Sequence, residues 1–167
     1  MTYKTHPLRP HHNKRDFDCG ISSLNRYLQR QASQDQKRKV AACFVFCEND
    51  NVLGYYTLSA ATVGLELLPP ELQKRLPRYP RIPATLLGRL ALSVSAQGKR
   101  LGETLLFDAM FRALDAGESV ASFALLVDVL EIDPDPIPFY EQYGFTRLSD
   151  GSRTLYLPMM TIEKLPR

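Results

Sequence analysis

A chain of 167 residues that is 44% hydrophobic and 23% charged has the size and composition of one globular domain, which excludes an intrinsically disordered chain, a collagen-like repeat and a coiled-coil rod. No apolar run approaches the roughly 18 to 20 residues that cross a bilayer, and the basic stretch 1–15 lacks a following apolar segment, so a membrane or exported protein is not expected. Net charge is only +3, yet residues 1–102 hold 16 Lys and Arg against 7 Asp and Glu, or +9, while residues 103–167 hold 5 against 11, or −6.

In chain order, Ile21, Leu24, Tyr27 and Leu28 recur at helical spacing and predict a helix capped by Asp18 or Ser22, followed by a more polar helical stretch over 31–39. Residues 40–47, rich in Val, Phe and Cys, read as a strand; Asn49, Asp50 and Asn51 make a turn, and 52–63 completes an antiparallel hairpin. Cys43 and Cys47 then lie in one strand about 13 Å apart, too far for a disulfide. With Cys19 they form an odd set of three without metal-pair spacing, and they read as small buried hydrophobes in a reducing cytoplasm. Pro69 and Pro70 start a short helix within 65–76, and Pro77, Pro80 and Pro83 impose an extended connector. Residues 84–94 carry the strongest strand pattern and run into a glycine-bearing turn, then a helix over 103–116 whose inner face is Leu105, Leu106, Ala109, Met110, Ala113 and Leu114. Residues 122–129 return as a buried strand parallel to the one at 84. Asp135 and Pro136 open a short helix that Gly144 ends, and Arg147 with the run 154–161 supplies the last strands. His6, His11 and His12 precede this core and read as a solvated arm, with no metal set among them. No repeat or linker divides the chain, so 1–167 is expected to be one mixed α/β domain.

Chemistry concentrates in the strand, turn and helix of 86–116. The buried strand delivers the chain to Gln97, Gly98, Lys99, Arg100, Leu101 and Gly102, where the first amides of the next helix point outward beside its positive dipole end. That geometry binds pyrophosphate. The run lacks the Gly-Lys-Ser/Thr of a Walker loop and the three glycines of a dinucleotide fingerprint. Between residues 72 and 102 stand Lys74, Arg75, Arg78, Arg81, Arg89, Lys99 and Arg100 with no carboxylate, and an anionic partner is their natural counterpart.

These residues resemble the acetyl-CoA motif of the GNAT N-acetyltransferases, Gln/Arg-x-x-Gly-x-Gly/Ala: Gln97 and Gly102 match its ends, and Arg100 stands where the family has Gly. The run Phe139, Tyr140, Glu141, Gln142, Tyr143, Gly144, Phe145 resembles the FYxxxGF element that follows the family's fifth strand. Phe17-Asp18-Cys19-Gly20 with Leu24-Asn25, the stretch 75–83, and Leu87-Gly88-Arg89-Leu90-Ala91 are similar to the GNAT toxins of toxin-antitoxin pairs. The resemblance spans 9–165 and departs at 131–138, which is longer and richer in proline. It implies the GNAT acyl-CoA N-acyltransferase fold, an α/β or mixed α+β sandwich with flanking helices on a central mixed sheet of roughly six to seven strands. It also implies acetyl-CoA as co-substrate with no metal, and acetylation of the amino group of aminoacyl-tRNA, which blocks translation. A ribbon-helix-helix antitoxin would neutralise such a protein; whether two copies pair as a homodimer stays open.

On this resemblance Leu90, Ala91 and Leu92 hold the pantetheine arm, and an N–H near Leu92 polarises the acetyl carbonyl. Gln97, Gly98, Lys99, Arg100, Leu101, Gly102 and Glu103 hold the pyrophosphate. Tyr140 is the acid for the leaving thiolate, because a phenol with an ordinary pKa of about 10 is protonated at neutral pH. No dedicated base stands out, which suits an aminoacyl ester whose amine is already substantially neutral. Lys37, Arg38, Lys39, Arg75, Arg78, Arg81 and Arg89 are expected to hold the tRNA backbone and to make activity sensitive to salt. Two other assignments stand beside this one: a GNAT acting on a small amine or a protein N-terminus, and a degenerate GNAT fold that binds without turnover.

Overall fold

A computed structural model of the chain describes residues 5–167. Seven strands form one sheet in the order β1-β2-β3-β4-β5-β7-β6, where β1 is His6–Pro7, β2 Ala42–Glu48, β3 Asn51–Gly64, β4 Arg81–Leu92, β5 Ala124–Asp128, β6 Thr146–Arg147 and β7 Thr154–Pro158. The helices are α1 (Ser22–Arg26), α2 (Ala32–Lys37), α3 (Pro70–Gln73), α4 (Leu101–Ala116), α5 (Ile137–Gln142) and α6 (Met159–Glu163), with a π-helical turn, Tyr27–Gln31, between α1 and α2. The chain forms two compact units, residues through Ser59 with Leu87–Arg112, and Ala60–Leu86 with Ala113–Arg167.

In the first unit β2 and β3 pair antiparallel from Ala42↔Leu58 to Glu48↔Asn51. Asn49 (φ 51) and Asp50 (φ 66) turn the hairpin, the left-handed pair that a two-residue connection between twisted strands requires and that Asn and Asp tolerate. The face toward α1 and the π-helical turn buries Phe17, Leu24, Tyr27, Leu28, Cys43, Val45, Tyr55 and Ala91. Gly54 allows close packing on β4: a Cβ there would lie 3.1 Å from Leu92 Cδ1 and 3.3 Å from the Ala91 carbonyl oxygen. In the second unit β5 pairs antiparallel with β7, and β7 with β6. Its core gathers Val63, Leu65, Leu68, Ile82, Ala84, Leu126 and Tyr156.

Several local expectations are corrected. The N-terminal stretch is not a solvated arm: His6 pairs with Val45 across β1 and β2, Leu8 and His12 are buried, and Thr5 Oγ1 donates to Asp108 while Arg112 holds both Thr5 and the Tyr56 hydroxyl. Neither Asp18 nor Ser22 caps α1, which follows Ile21 without a side-chain cap. The Asp18 carboxylate instead accepts from the Gly20 N–H and Asn25 Nδ2. Strand β4 starts at Arg81, inside the proline-spaced connector; Pro83 lacks an N–H to donate, yet its carbonyl accepts the Phe123 N–H at 2.8 Å. Residues 159–161 leave the last strand and enter α6 after Pro158.

Candidate active site

Beyond β4 a short 3₁₀ turn, Val94–Ala96, leads into the loop ahead of α4. Gly98 (φ 83) and Arg100 (φ 58) both take the left-handed conformation. Alternation of right- and left-handed residues turns successive amides to one side and makes an anion-binding nest. Among the described residues the N–H groups of Gly98, Lys99, Arg100, Leu101 and Gly102 donate to no protein acceptor; two residues on, the Thr104 amide returns to the Arg100 carbonyl at 3.3 Å. Five amide donors thus stand unclaimed at the positive end of a 16-residue helix, and Lys99 and Arg100 are exposed beside them. Arg100 takes its left-handed turn where the resembled motif carries Gly, at the cost of local strain. Gln97 contributes differently from a phosphate ligand: its Nε2 donates to the Leu92 carbonyl at 2.9 Å and ties the loop back to the end of β4. Leu90 and Leu92 are half-buried, whereas Ala91 packs in the core with Tyr27 and Cys19.

Tyr140 sits in α5, and the local sequence explains its fixed position. Gly144 (φ 98) ends the helix in the left-handed region; the Phe145 N–H returns to the Tyr140 carbonyl at 3.3 Å, and the Phe145 ring meets the Tyr140 ring edge-on with centroids 5.7 Å apart. This is a Schellman close with its accompanying apolar contact, and it accounts for the spacing of the Phe-Tyr and Gly-Phe pairs. At the other end the Asp135 carboxylate accepts the Ile137 N–H and pairs with Arg153 at 2.8 Å. Tyr140 is only 7% exposed, and burial alone pushes its phenol above the ordinary 10.0. Its hydroxyl makes no hydrogen bond among the described residues, an orphaned polar group of the kind that native cores seldom keep without a role.

The cations fall into separate groups. Lys37, Arg38 and Lys39 are exposed at the C-terminal end of α2, where a helix dipole favours positive charge. Arg75 and Arg78 are exposed on the connector, and Arg81 donates to Thr62 Oγ1 at 2.8 Å from the first position of β4. Arg89 is set apart, half-buried, with its guanidinium 3.5 Å from the centre of the Tyr27 ring. The cysteines carry no reactive character: burial raises the thiols of Cys43 to about 12 and Cys47 to about 11, opposite to an activated nucleophile. His11, His12 and Asp50 bring candidate ligand atoms within 4.8 Å of one another. They do not fit a metal, because His12 Nδ1 accepts the Arg9 N–H at 2.9 Å, which places the neutral ring's proton on Nε2 and leaves no lone pair to give.

No protein-family model matches the sequence. A tRNA-acetylating toxin of Mycobacterium tuberculosis is 33% identical over 129 residues, covering 77% of this chain and 75% of the relative. The chain belongs to the GNAT acetyltransferase toxins. Among solved structures, the toxin AtaT complexed with acetyl-methionyl-tRNAfMet superposes with a TM-score of 0.87 at 30% identity, covering 96% of both chains. A Tyr-to-Phe variant of AtaT bound to the C-terminus of the antitoxin AtaR and to acetyl-CoA has a TM-score of 0.79 at 28% identity, covering 96% of this chain and 95% of that one. The mixed sheet with flanking helices is therefore the expected GNAT fold.

Sequence reasoning passed over two features of this GNAT toxin. One is the π-helical turn that carries Tyr27, which periodicity cannot distinguish from α-helix. The other is a cleft of about 520 Å³ whose lining includes Lys14, Arg15 and Arg30 and no carboxylate; the signal was present in the +9 balance of the first 102 residues, outside the stretch 72–102.

Proposed function

We propose that this chain transfers the acetyl group of acetyl-CoA to the α-amino group of an aminoacyl-tRNA and thereby acts as a translation-blocking toxin. The observation that carries the proposal is the row of five unclaimed amides from Gly98 to Gly102 at the head of α4, which fits the pyrophosphate of CoA. The tRNA-acetylating relative and the AtaT structures with acetyl-methionyl-tRNA and acetyl-CoA support the choice of acceptor and donor.

The reaction asks little of the protein. The neutral amine attacks the thioester carbonyl, the C–S bond breaks as the C–N bond forms, the amine proton passes to water and the CoA thiolate takes a proton. Leu90, Ala91 and Leu92 would align the pantetheine arm, with an N–H near Leu92 polarising the carbonyl. Gly98, Lys99, Arg100, Leu101, Gly102 and Glu103 would bind the pyrophosphate, with Gln97 positioning their loop through its hold on the Leu92 carbonyl. Tyr140 would protonate the thiolate, its hydroxyl being protonated at neutral pH and free of a competing partner among the described residues. Lys37, Arg38, Lys39, Arg75, Arg78, Arg81 and Arg89 would hold the RNA backbone. An antitoxin would neutralise the protein, with the ribbon-helix-helix class proposed from the sequence resemblance. No helix among the described residues is long and apolar enough to cross a membrane, and a cytoplasmic site of action is proposed with the substrate.

The test is transfer of labelled acetyl from acetyl-CoA to charged tRNA, uncharged tRNA and amino acid amides in parallel. Label on charged tRNA alone supports the proposal. Equal labelling of the amides would favour the small-amine assignment, and absence of transfer to all three would favour binding without turnover.

A further inference from the structure

Arg89 is held in an unusual way. Its guanidinium lies 3.5 Å from the centre of the Tyr27 ring, and that ring is itself immobilised. The Tyr27 hydroxyl donates to Asp35 Oδ2 at 2.8 Å, Gln31 Nε2 donates to the other carboxylate oxygen at 2.8 Å, and the ring lies nearly parallel to that of Tyr55, which is anchored through its hydroxyl on the Leu24 carbonyl at 2.7 Å. The π-helical turn Tyr27–Gln31 places Tyr27 and Gln31 on the same carboxylate. Asp35 has both oxygens engaged and forms no ion pair with Arg89. Among the described residues, no hydrogen bond or ion pair claims the Arg89 guanidinium. A half-buried planar cation with its N–H groups unspent, stacked on an anchored aromatic ring, is a preorganised fork for a phosphate or carboxylate.

Position selects between those ligands. Arg89 precedes Leu90, Ala91 and Leu92 on β4, whereas the amide nest lies beyond the other end of that strand. A CoA bound at the nest reaches the acetyl site from the C-terminal side, which leaves the N-terminal side, toward Arg89, to the acceptor. Three residues of strand from Leu92 to Arg89 span about 10 Å. In an aminoacyl ester of a 3′-terminal nucleotide, eight bonds of about 1.5 Å separate the amine nitrogen from the phosphorus on the 5′ side of that nucleotide, and extended they span about 10 Å. The ester has no free carboxylate. Resting on the acetylation of aminoacyl-tRNA proposed above, we infer that Arg89, stacked on Tyr27, binds the phosphate that joins the terminal nucleotide of the charged tRNA to the rest of the chain.

The probe is an aminoacylated acceptor minihelix with a single-stranded CCA end, made either with its natural last phosphate or with a neutral methylphosphonate there. For the wild type, neutralising that linkage should lower kcat/KM roughly 10- to 100-fold, the range of a charge-assisted contact. Arg89→Gln should show a similar loss on the natural minihelix and little further loss on the neutral one. Arg89→Lys, which keeps the cation but not the fork, should fall between. If the two losses instead multiply, Arg89 does not touch that phosphate and the inference is overturned. It is overturned equally if Arg89→Gln slows acetylation of a simple amino acid ester as much as it slows the minihelix. Fluorescence anisotropy of the uncharged minihelices separates this inference from the one beneath it: wild type must prefer the natural linkage and Arg89→Gln must not, even in a preparation that transfers no acetyl group. Should Arg89→Gln fail to fold, the same comparison is made with Arg89→Lys, for which an undiminished preference for the natural linkage counts against the fork.

Discussion

Removing the hydroxyl of Tyr140 should separate stability from catalysis. In most cores Tyr→Phe breaks a hydrogen bond and costs about 1 kcal/mol. Here the hydroxyl is buried in a residue 7% exposed and has no partner among the described residues, so Tyr140→Phe deletes a desolvated group that contributes nothing to the fold. The ring contacts with Phe139 and Phe145 at 5.2 and 5.7 Å remain. An orphaned polar group costs about 1 to 3 kcal/mol. Taking the low end, Tm should rise by about 2 to 4 °C for a domain of this size. Turnover should move the other way, by roughly 10² to 10⁴ if the phenol is the general acid, with acetyl-CoA affinity nearly unchanged. Calorimetric melting, titration with acetyl-CoA and thiol release with charged tRNA measure the three quantities on one preparation. Because burial raises the phenol above 10.0, it stays protonated through neutral pH. The wild-type rate should therefore climb with deprotonation of the acceptor amine and show no falling limb below about pH 10. A variant that melts several degrees lower and turns over at the wild-type rate would refute the reasoning and make the hydroxyl a structural group.

Arg100→Gly should stabilise the fold by about 0.5 to 1 kcal/mol, since relief of a left-handed residue worth about 1 to 2 kcal/mol exceeds glycine's added chain entropy, while acetyl-CoA affinity falls a few-fold with the lost cation; thermal melts and titration check both signs. Gly54→Ala pushes a methyl against the Ala91 carbonyl and Leu92, so an overpacking cost of about 1 to 3 kcal/mol should come with weakened acetyl-CoA binding, read in the same two assays. Tyr27, Tyr55, Tyr56 and Tyr140 all have phenols raised by burial above 10.0; the unfolded chain therefore ionises first, and urea midpoints should hold steady to about pH 9 and fall above about pH 10. Charge reversal at Arg75, Arg78 and Arg81 together should raise KM for charged tRNA and flatten its dependence on salt without changing acetyl-CoA affinity; an unaltered salt slope would reduce this stretch to a solvated face.

What was legible in the sequence had local causes. The hairpin at Asn49 and Asp50, the turn at Gly98 and the helix stop at Gly144 rest on residues that tolerate left-handed backbone, and such residues mark themselves. The Schellman close of α5 likewise lies within six consecutive residues, from Tyr140 to Phe145, so its function as a holder of Tyr140 could be anticipated. Strand β1 could not: it is two residues long and contains a proline, and the N-terminal stretch beside it is held by Thr5 bonding to Asp108 and Arg112, more than 100 positions away. Helix α6 begins with Met159 and Met160, which continue the apolar run of β7 and differ from it only after the backbone bends at Pro158. The fork at Arg89 needed the ring of Tyr27, at the start of a π-helical turn, against its guanidinium, a geometry that hydrophobic spacing does not encode.

The identity of the acetylated atom tests the central claim most directly. Charged tRNA incubated with the protein and acetyl-CoA is digested by nuclease, and the aminoacyl-adenosine from its 3′ end is weighed and fragmented by mass spectrometry. The account predicts N-acetylaminoacyl-adenosine, with the acetyl group on the α-amino nitrogen and no acetyl on uncharged tRNA. Recovery of unmodified aminoacyl-adenosine, or of acetyl groups on a base or ribose of uncharged tRNA, would contradict it.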